Sequence, residues 1–445
     1  MSSEYNKRIK RRNFIKKSSA GLLGAGMLNS KKSFGLEEDN AKDESPRIKQ
    51  YRTLGRTGFR VSDIGFGGAY PNEEEIVKAL IRAGVNYIDT AESYNENVIG
   101  SSIKGFDRKS LFITTKMAAF KNFETKEQIL ARARKSLEKL QTDYIDCLMI
   151  HAAQSSEIIK SEAFHSAVKQ LKNEGRLRYC GVSCHGSMWI HEPKESMDEI
   201  LLGAVEDGRF DVLLLTYNYL MQDMGKKIMK ACKEKNIGTT IMKTDPYSKY
   251  FLLKKTYDMM VEKSTKDGTP IPAYATNLFS KFERYKEQAE SFIEKHNLSG
   301  TDEIRAAAIR FVLDNPDADC VLMSFTTFED IDNYVKLSGN PLSSSDKKTL
   351  KDYEKSLGRF YCRHACGVCE EHCPHHVPVN TIMRYDQYFH AQNQREYASE
   401  QYASLHGHKA EACENCPGYC EKHCPYNVPV HSLLNIAHRK LTSTS

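Results

Sequence analysis

Outside its first 35 residues the chain has no surplus of positive charge. The formal net charge is +6 over 445 residues, yet residues 1–35 hold nine Lys or Arg against the single Glu4, which leaves −2 for everything that follows. There is no basic domain to grip phosphates, so a nucleic-acid partner is excluded. A membrane-spanning run is missing from the basic head as well. The apolar stretch in KRIKRRNFIKKSSAGLLGAGML covers roughly eleven residues, short of the about twenty that cross a bilayer, and no clear small-x-small cleavage site follows it. With 40% hydrophobic and 27% charged residues the chain is neither disordered nor fibrous, and its length suggests two or three structural units.

The head itself resembles a twin-arginine export signal. Arg11, Arg12, Asn13, Phe14, Ile15 and Lys16 fill the places of that signal's Arg-Arg-x-Phe-aliphatic-Lys pattern. The resemblance implies a signal segment over residues 1–35, a polar linker over 36–49, the twin-arginine export machinery as a partner, and a final location in the periplasm or on the outer face of the cytoplasmic membrane.

From Tyr51 onward short apolar runs alternate with longer amphipathic ones. The runs are VSDIGFGG, VNYIDTA, SLFITTK, YIDCLMIH, RYCGVSCH, DVLLLTYN, GTTIMKT and DCVLMSF, separated by segments of helical spacing such as TKEQILARARKSLEKLQ. Eight strands and eight helices predict an α/β fold, a (β/α)8 barrel over residues 50–340, with an insertion around 247–300 over one rim. A charged helix then leads into a cysteine-rich tail, 341–445, that contains an imperfect internal repeat.

In such a barrel the chemistry sits at the carboxyl ends of the strands. Asp89 closes the second run, Tyr94 follows in its loop, Lys116 closes the third and His151 the fourth. Jointly they suit carbonyl reduction by hydride transfer. Tyr94 supplies the proton, Lys116 is expected to lower its pKa, Asp89 holds Lys116, and His151 orients and polarises the carbonyl. With these residues in place the chain resembles the aldo/keto reductases, which carry an Asp, Tyr, Lys, His tetrad in that order. YRTLGRTGFRVSDIGFGG is similar to that family's entry segment, and RYCGVS, TYN and IMK match the ends of its fifth to seventh strands. The resemblance implies a nicotinamide cofactor, NAD(P)H, across the barrel mouth without a glycine-rich loop. Its contacts would be Ser183, Asn218, the phosphate-contacting Ser324, and Asp332 with Asn333 at the adenine. Cys184 stands where the family usually has Asn. Met323 and Glu329 replace the cations of NADP-specific members, and a carboxylate there repels a 2′-phosphate, which argues against a preference for NADP.

Of 13 cysteines, Cys147, Cys180, Cys320 and Cys232 fall in apolar strands or a helix and read as buried small hydrophobes. Cys362, Cys366, Cys369 and Cys373 before Pro374, and Cys413, Cys416, Cys420 and Cys424 before Pro425, resemble the bacterial ferredoxin run, although each has a three-residue gap where that motif has two. The resemblance implies two [4Fe–4S] clusters in a small, mainly helical and loop-rich ferredoxin-like iron-sulfur domain. Zinc and disulfides are the competing readings. The interleaved histidines read as solvated loop residues.

The expected function is an exported oxidoreductase in which a carbonyl-reducing barrel is joined to an electron-transfer iron-sulfur module. Its substrate would be a small carbonyl or alcohol, sugar-derived by location, with a redox partner protein docking on the tail. The alternative is a barrel without turnover, a binding or scaffold unit whose clusters are structural staples or a docking site.

Overall fold

Eight of the apolar runs are buried on both faces, as parallel strands covered by helices must be. In the computed structural model they are β3 (Ile64–Gly67), β4 (Tyr87–Asp89), β5 (Phe112–Ala118), β6 (Ile145–Ala153), β7 (Leu177–Cys184), β8 (Val212–Thr216), β9 (Gly238–Met242) and β10 (Cys320–Met323). They close in the order β10-β3-β4-β5-β6-β7-β8-β9 with parallel pairing throughout. The structure describes residues 45–443 apart from 70–72, 119–124, 187–194, 246–249, 272, 297–301, 365 and 392–393. The arginine-pair motif and the expected signal segment lie outside the described residues.

The run VSDIGFGG is two elements rather than one strand. Arg60–Ser62 (β2) pairs antiparallel with Tyr51–Thr53 (β1), and only the part from Ile64 enters the barrel. The hairpin is a plug: its Leu54 and Val61 are buried with Tyr87, Phe112, Cys147, Met149, Val212, Leu214 and Cys320, the side chains that fill the barrel interior. Gly55, at φ +45°, lies against the start of β9, where an added Cβ would stand 2.2 Å from the Gly238 nitrogen. Cys147, Cys180, Cys232 and Cys320 are buried as the sequence predicts. Burial pushes the Cys180 and Cys232 thiols up to about 12.

The insertion is two helices, Tyr250–Asp267 and Ala273–Lys295. Rather than only rimming the barrel, they give the tail something to pack on. Tyr250 and Phe282 stack at 5.3 Å between ring centroids, and Phe360 packs against both. These residues, Tyr219 and Leu220 from the barrel, and Ile382, Leu433 and Leu434 from the tail form one second hydrophobic core.

The tail's internal repeat is visible in three dimensions. Glu370 accepts a hydrogen bond from the Asn380 backbone nitrogen (2.6 Å), and Glu421 does the same for His431 (3.3 Å). His376 and Asn427 take matching positive φ values of 50° and 52°, and His372 stacks on His423 at 3.7 Å. His372 and His423 are exposed, as expected of loop histidines, but His364 is buried and bonded to Gln387 at 2.6 Å.

The ferredoxin-like iron-sulfur domain expected from the cysteine runs is not found: the tail is helix and loop, and among the described residues no group of three or more Cys, His, Asp or Glu could hold a metal ion. Cys362, Cys366 and Cys369 line a small cavity together with Cys424 from the other run, but shared lining is not ligation. Of the eight residues proposed as metal ligands, Cys362, Cys366, Cys369, Cys373, Cys413, Cys416, Cys420 and Cys424, none is joined in a disulfide. Four of them, Cys369, Cys373, Cys413 and Cys420, are buried in the second core. Burial raises the Cys369, Cys413 and Cys420 thiols. The disulfide reading fails because none of these cysteines is joined to another. The two [4Fe–4S] clusters, the metal-binding assignment and the electron-transfer module are therefore corrected.

Candidate active site

Asp89, the last residue of β4, and Lys116, near the end of β5, face each other because the two strands pair with Asp89 opposite Thr114. Lys116 Nζ donates to Asp89 Oδ2 at 2.5 Å and to the Thr90 carbonyl at 2.6 Å, and both side chains are buried. Asp89 Oδ1 has no hydrogen-bond partner. Burial pushes the Asp89 carboxyl up while Lys116 pulls it back.

Tyr94 sits in a turn closed by its own backbone N–H on the Ala91 carbonyl (2.8 Å), one residue before Asn95, which caps the helix Glu96–Ser102 by accepting from the Val98 nitrogen. That placement brings its hydroxyl 3.5 Å from His151 Nε2 on β6, with the rings edge-to-face at 5.7 Å. Lys116 Nζ lies 5.5 Å from the Tyr94 ring centre. The four residues are thus a buried ion pair behind a half-buried phenol and imidazole that open to the barrel mouth.

The expected lowering of the Tyr94 pKa by Lys116 does not appear. Burial raises it well above its ordinary value, with Asp89, Tyr388 and Tyr397 adding to the rise. The phenol is held as a neutral donor. Burial, helped by the Lys116 charge, lowers His151 to about 3, so its imidazole is neutral across the working pH range.

The residues inferred for the nucleotide occupy neighbouring strand ends. Ser183 Oγ accepts from the Ala152 nitrogen (2.8 Å), bracing a backbone at φ +52° just after His151. Asn218 Nδ2 donates to the Lys243 carbonyl (2.9 Å), bracing a second left-handed residue at φ +59°. Non-glycine residues held at positive φ cost energy and gather at functional sites. Ser324 Oγ reaches the Gly67 carbonyl at 3.5 Å. Asp332 and Asn333 lie on the helix Phe328–Tyr334, which follows β10 and begins at the Thr327 cap. Met323 is buried and Glu329 exposed. The hydroxyl and amide suited to a nicotinamide carboxamide are present at the mouth, and the buried Thr216 hydroxyl beside them on β8 has no partner, so the residues fit the group.

Sequence reading missed a further set at the mouth. Lys243 follows β9 and His185 follows β7, both at carboxyl ends where the other candidates were sought. Tyr388 and Arg384 come from the tail helix Val379–Ala391, and Tyr397 from the next helix, Arg395–Ala403. Gln394 between those helices donates to the Ala69 carbonyl just beyond β3. No local signal in the tail indicates that it reaches the barrel.

A parallel eight-stranded barrel with an Asp-Lys pair behind a Tyr and a His at its carboxyl face defines a barrel oxidoreductase. The family model "Aldo/keto reductase family" matches residues 64–355, and the chain belongs to the aldo/keto reductases, a family of NAD(P)-dependent oxidoreductases. That match leaves out both the amino-terminal segment read as a twin-arginine signal and the cysteine runs, and the signal gains no support. Aldo-keto reductase YhdN of Bacillus subtilis (strain 168) is 25% identical over 328 residues, 68% of this chain and 92% of that protein. L-galactose dehydrogenase of Arabidopsis thaliana is 29% identical over 210 residues, 42% of this chain and 63% of that one. Among solved structures, the aldo-keto reductase AKR11C1 from Bacillus halodurans has a TM-score of 0.46 at 19% identity, covering 69% of this chain and 95% of that one.

Proposed function

We propose that the protein interconverts a small carbonyl compound and its alcohol by hydride transfer, with Asp89, Tyr94, Lys116 and His151 as the reacting-end residues. The observation that carries this reading is the buried Asp89–Lys116 pair behind Tyr94 and His151 at one barrel mouth. The nucleotide, when bound, supplies the hydride, and Ser183, Asn218, Ser324, Asp332 and Asn333 would hold it. Tyr94 gives its proton to the carbonyl oxygen, and neutral His151 donates a hydrogen bond that polarises the carbonyl. Lys116, fixed by Asp89, stabilises the phenolate left behind. The exposed Glu329 in the first turn of the helix after β10 favours NAD over NADP. A sugar-derived substrate is the finer part of the proposal, supported by the relative named for L-galactose. Replacing Tyr94 by Phe keeps the ring and removes the proton, so reduction should fall by about 10²–10⁴-fold while nucleotide affinity, read by fluorescence titration, holds. Undiminished turnover would remove Tyr94 from its role.

A further inference from the structure

Arg384 is a guanidinium only 9% exposed, and among the described residues no carboxylate pairs with it or with Lys243. Arg384 precedes Tyr388 by one helical turn, so both project from the same face of the tail helix. Lys243 Nζ approaches the Tyr388 ring to 4.6 Å from its centre. The second cation thus comes from the barrel and the first from the tail. His185 lies in the field of both, and its buried Nδ1 atom has no hydrogen-bond partner. Burial, then Arg384 and Lys243, keep that imidazole neutral. Burial pulls the Tyr388 phenol up, yet Lys243 and Arg384 outweigh it and hold the phenol below its ordinary value. A buried guanidinium and a half-buried ammonium, neither paired with a carboxylate among the described residues, favour an anion that joins them.

We propose that Arg384 and Lys243, with Tyr388 and His185 beside them, form an anion subsite that takes a carboxylate of the substrate, so that the substrates are oxo acids and sugar acids rather than neutral carbonyls. The proposal rests on the hydride-transfer reading for the word substrate but not for the anion site itself. The position favours the substrate over the nucleotide's pyrophosphate. Lys243 stands next to Asn218, the amide suited to the nicotinamide, which donates to the Lys243 carbonyl at 2.9 Å, and the Tyr388 ring that Lys243 approaches acts on Tyr94; this sets the subsite beside the reacting end, whereas a ribose separates a pyrophosphate from its nicotinamide. A planar guanidinium also matches a carboxylate through two parallel hydrogen bonds.

The test compares substrates that carry or lack a carboxylate at the end away from the carbonyl, 4-oxobutanoate with butanal and D-glucuronate with D-glucose, using the full-length protein. The charged member of each pair should be favoured in kcat/KM by about 10–100-fold. Arg384→Met and Lys243→Met should each bring the ratio to within a few-fold of one, chiefly through KM, and Arg384→Lys should restore part of it. Binding of unreactive succinate, measured by calorimetry, should persist in Tyr94→Phe and vanish in Arg384→Met. Should Arg384→Met unfold by circular dichroism, Lys243→Met decides alone. Equal treatment of both pairs with no succinate binding overturns the proposal. So does loss of NADH affinity in the cation variants with succinate binding intact, which would give the cations to the nucleotide. Retained activity in Tyr94→Phe would count against the hydride reading and leave the succinate result to judge the subsite.

Discussion

At the scale of single residues, the tetrad divides its labour by burial. Asp89 and Lys116 are 5% and 2% exposed, and each makes the other tolerable in a low-dielectric site. Removing the cation by Lys116→Met leaves a buried carboxylate with one orphan oxygen already present. Stability should drop by about 3 kcal/mol on urea titration, and reduction should be lost. His151 behaves oppositely, because burial excludes its charge. Its pKa of about 3 lies below the usual value near 6.5, so the folded form binds fewer protons than the unfolded chain between those limits. Its contribution to stability is therefore full above pH 6.5 and declines as pH falls toward 3. Between pH 5 and 8 the rate of reduction should show no ionisation attributable to His151, and a limb near 6.5 that disappears in His151→Gln would contradict its neutral state.

Among the elements, the β1–β2 hairpin matters beyond its length, since it seals the amino-terminal end of the barrel and so stiffens the strands that carry the site at the other end. Gly55 and Gly58 separate two effects of the same substitution. Both have positive φ, but only at Gly55 does a new Cβ collide with backbone; at Gly58 it meets open space. Gly58→Ala should cost about 1 kcal/mol from conformation alone, and Gly55→Ala about 3 kcal/mol, visible as the larger fall in Tm by calorimetry. Equal shifts would mean that the turn does not rest on β9. The two braced left-handed residues, Ala152 and Lys243, show the same logic at the mouth, where Ser183 and Asn218 spend hydrogen bonds on holding backbone that presents His151 and Lys243.

In the whole molecule, barrel, insertion and tail share one apolar cluster, so the tail is not an appendage. A chain ended after residue 355, the limit of the family match, would expose Tyr219, Leu220, Tyr250, Leu253, Phe282 and Phe292, all buried in that cluster. It should partition into the insoluble fraction on expression while the full chain stays soluble; a soluble, monomeric fragment by gel filtration would show that the barrel closes without its tail. Asp89, Lys116 and His151 could be read from the chain because parallel strands buried on both faces announce themselves as apolar runs, and the barrel rule then assigns function to the polar residue that ends each run. Tyr94 followed by its position in the β4 loop and by family resemblance. The cysteine runs misled for a related reason: close spacing fixes only what a loop could wrap, whereas the fold decides whether three or more ligands converge on one point, and among the described residues none do. Arg384, Tyr388 and Tyr397 were invisible for the converse reason. Helical spacing says which side of the tail is apolar, but which surface that side meets depends on contacts hundreds of residues away, such as Gln394 with Ala69. The sequence alone determined the barrel and the candidate residues Asp89, Lys116 and His151 at its strand ends, since both follow from local periodicity. Only the tertiary structure decided what covers the mouth and what charge faces the substrate, because those depend on packing between segments that no local pattern connects.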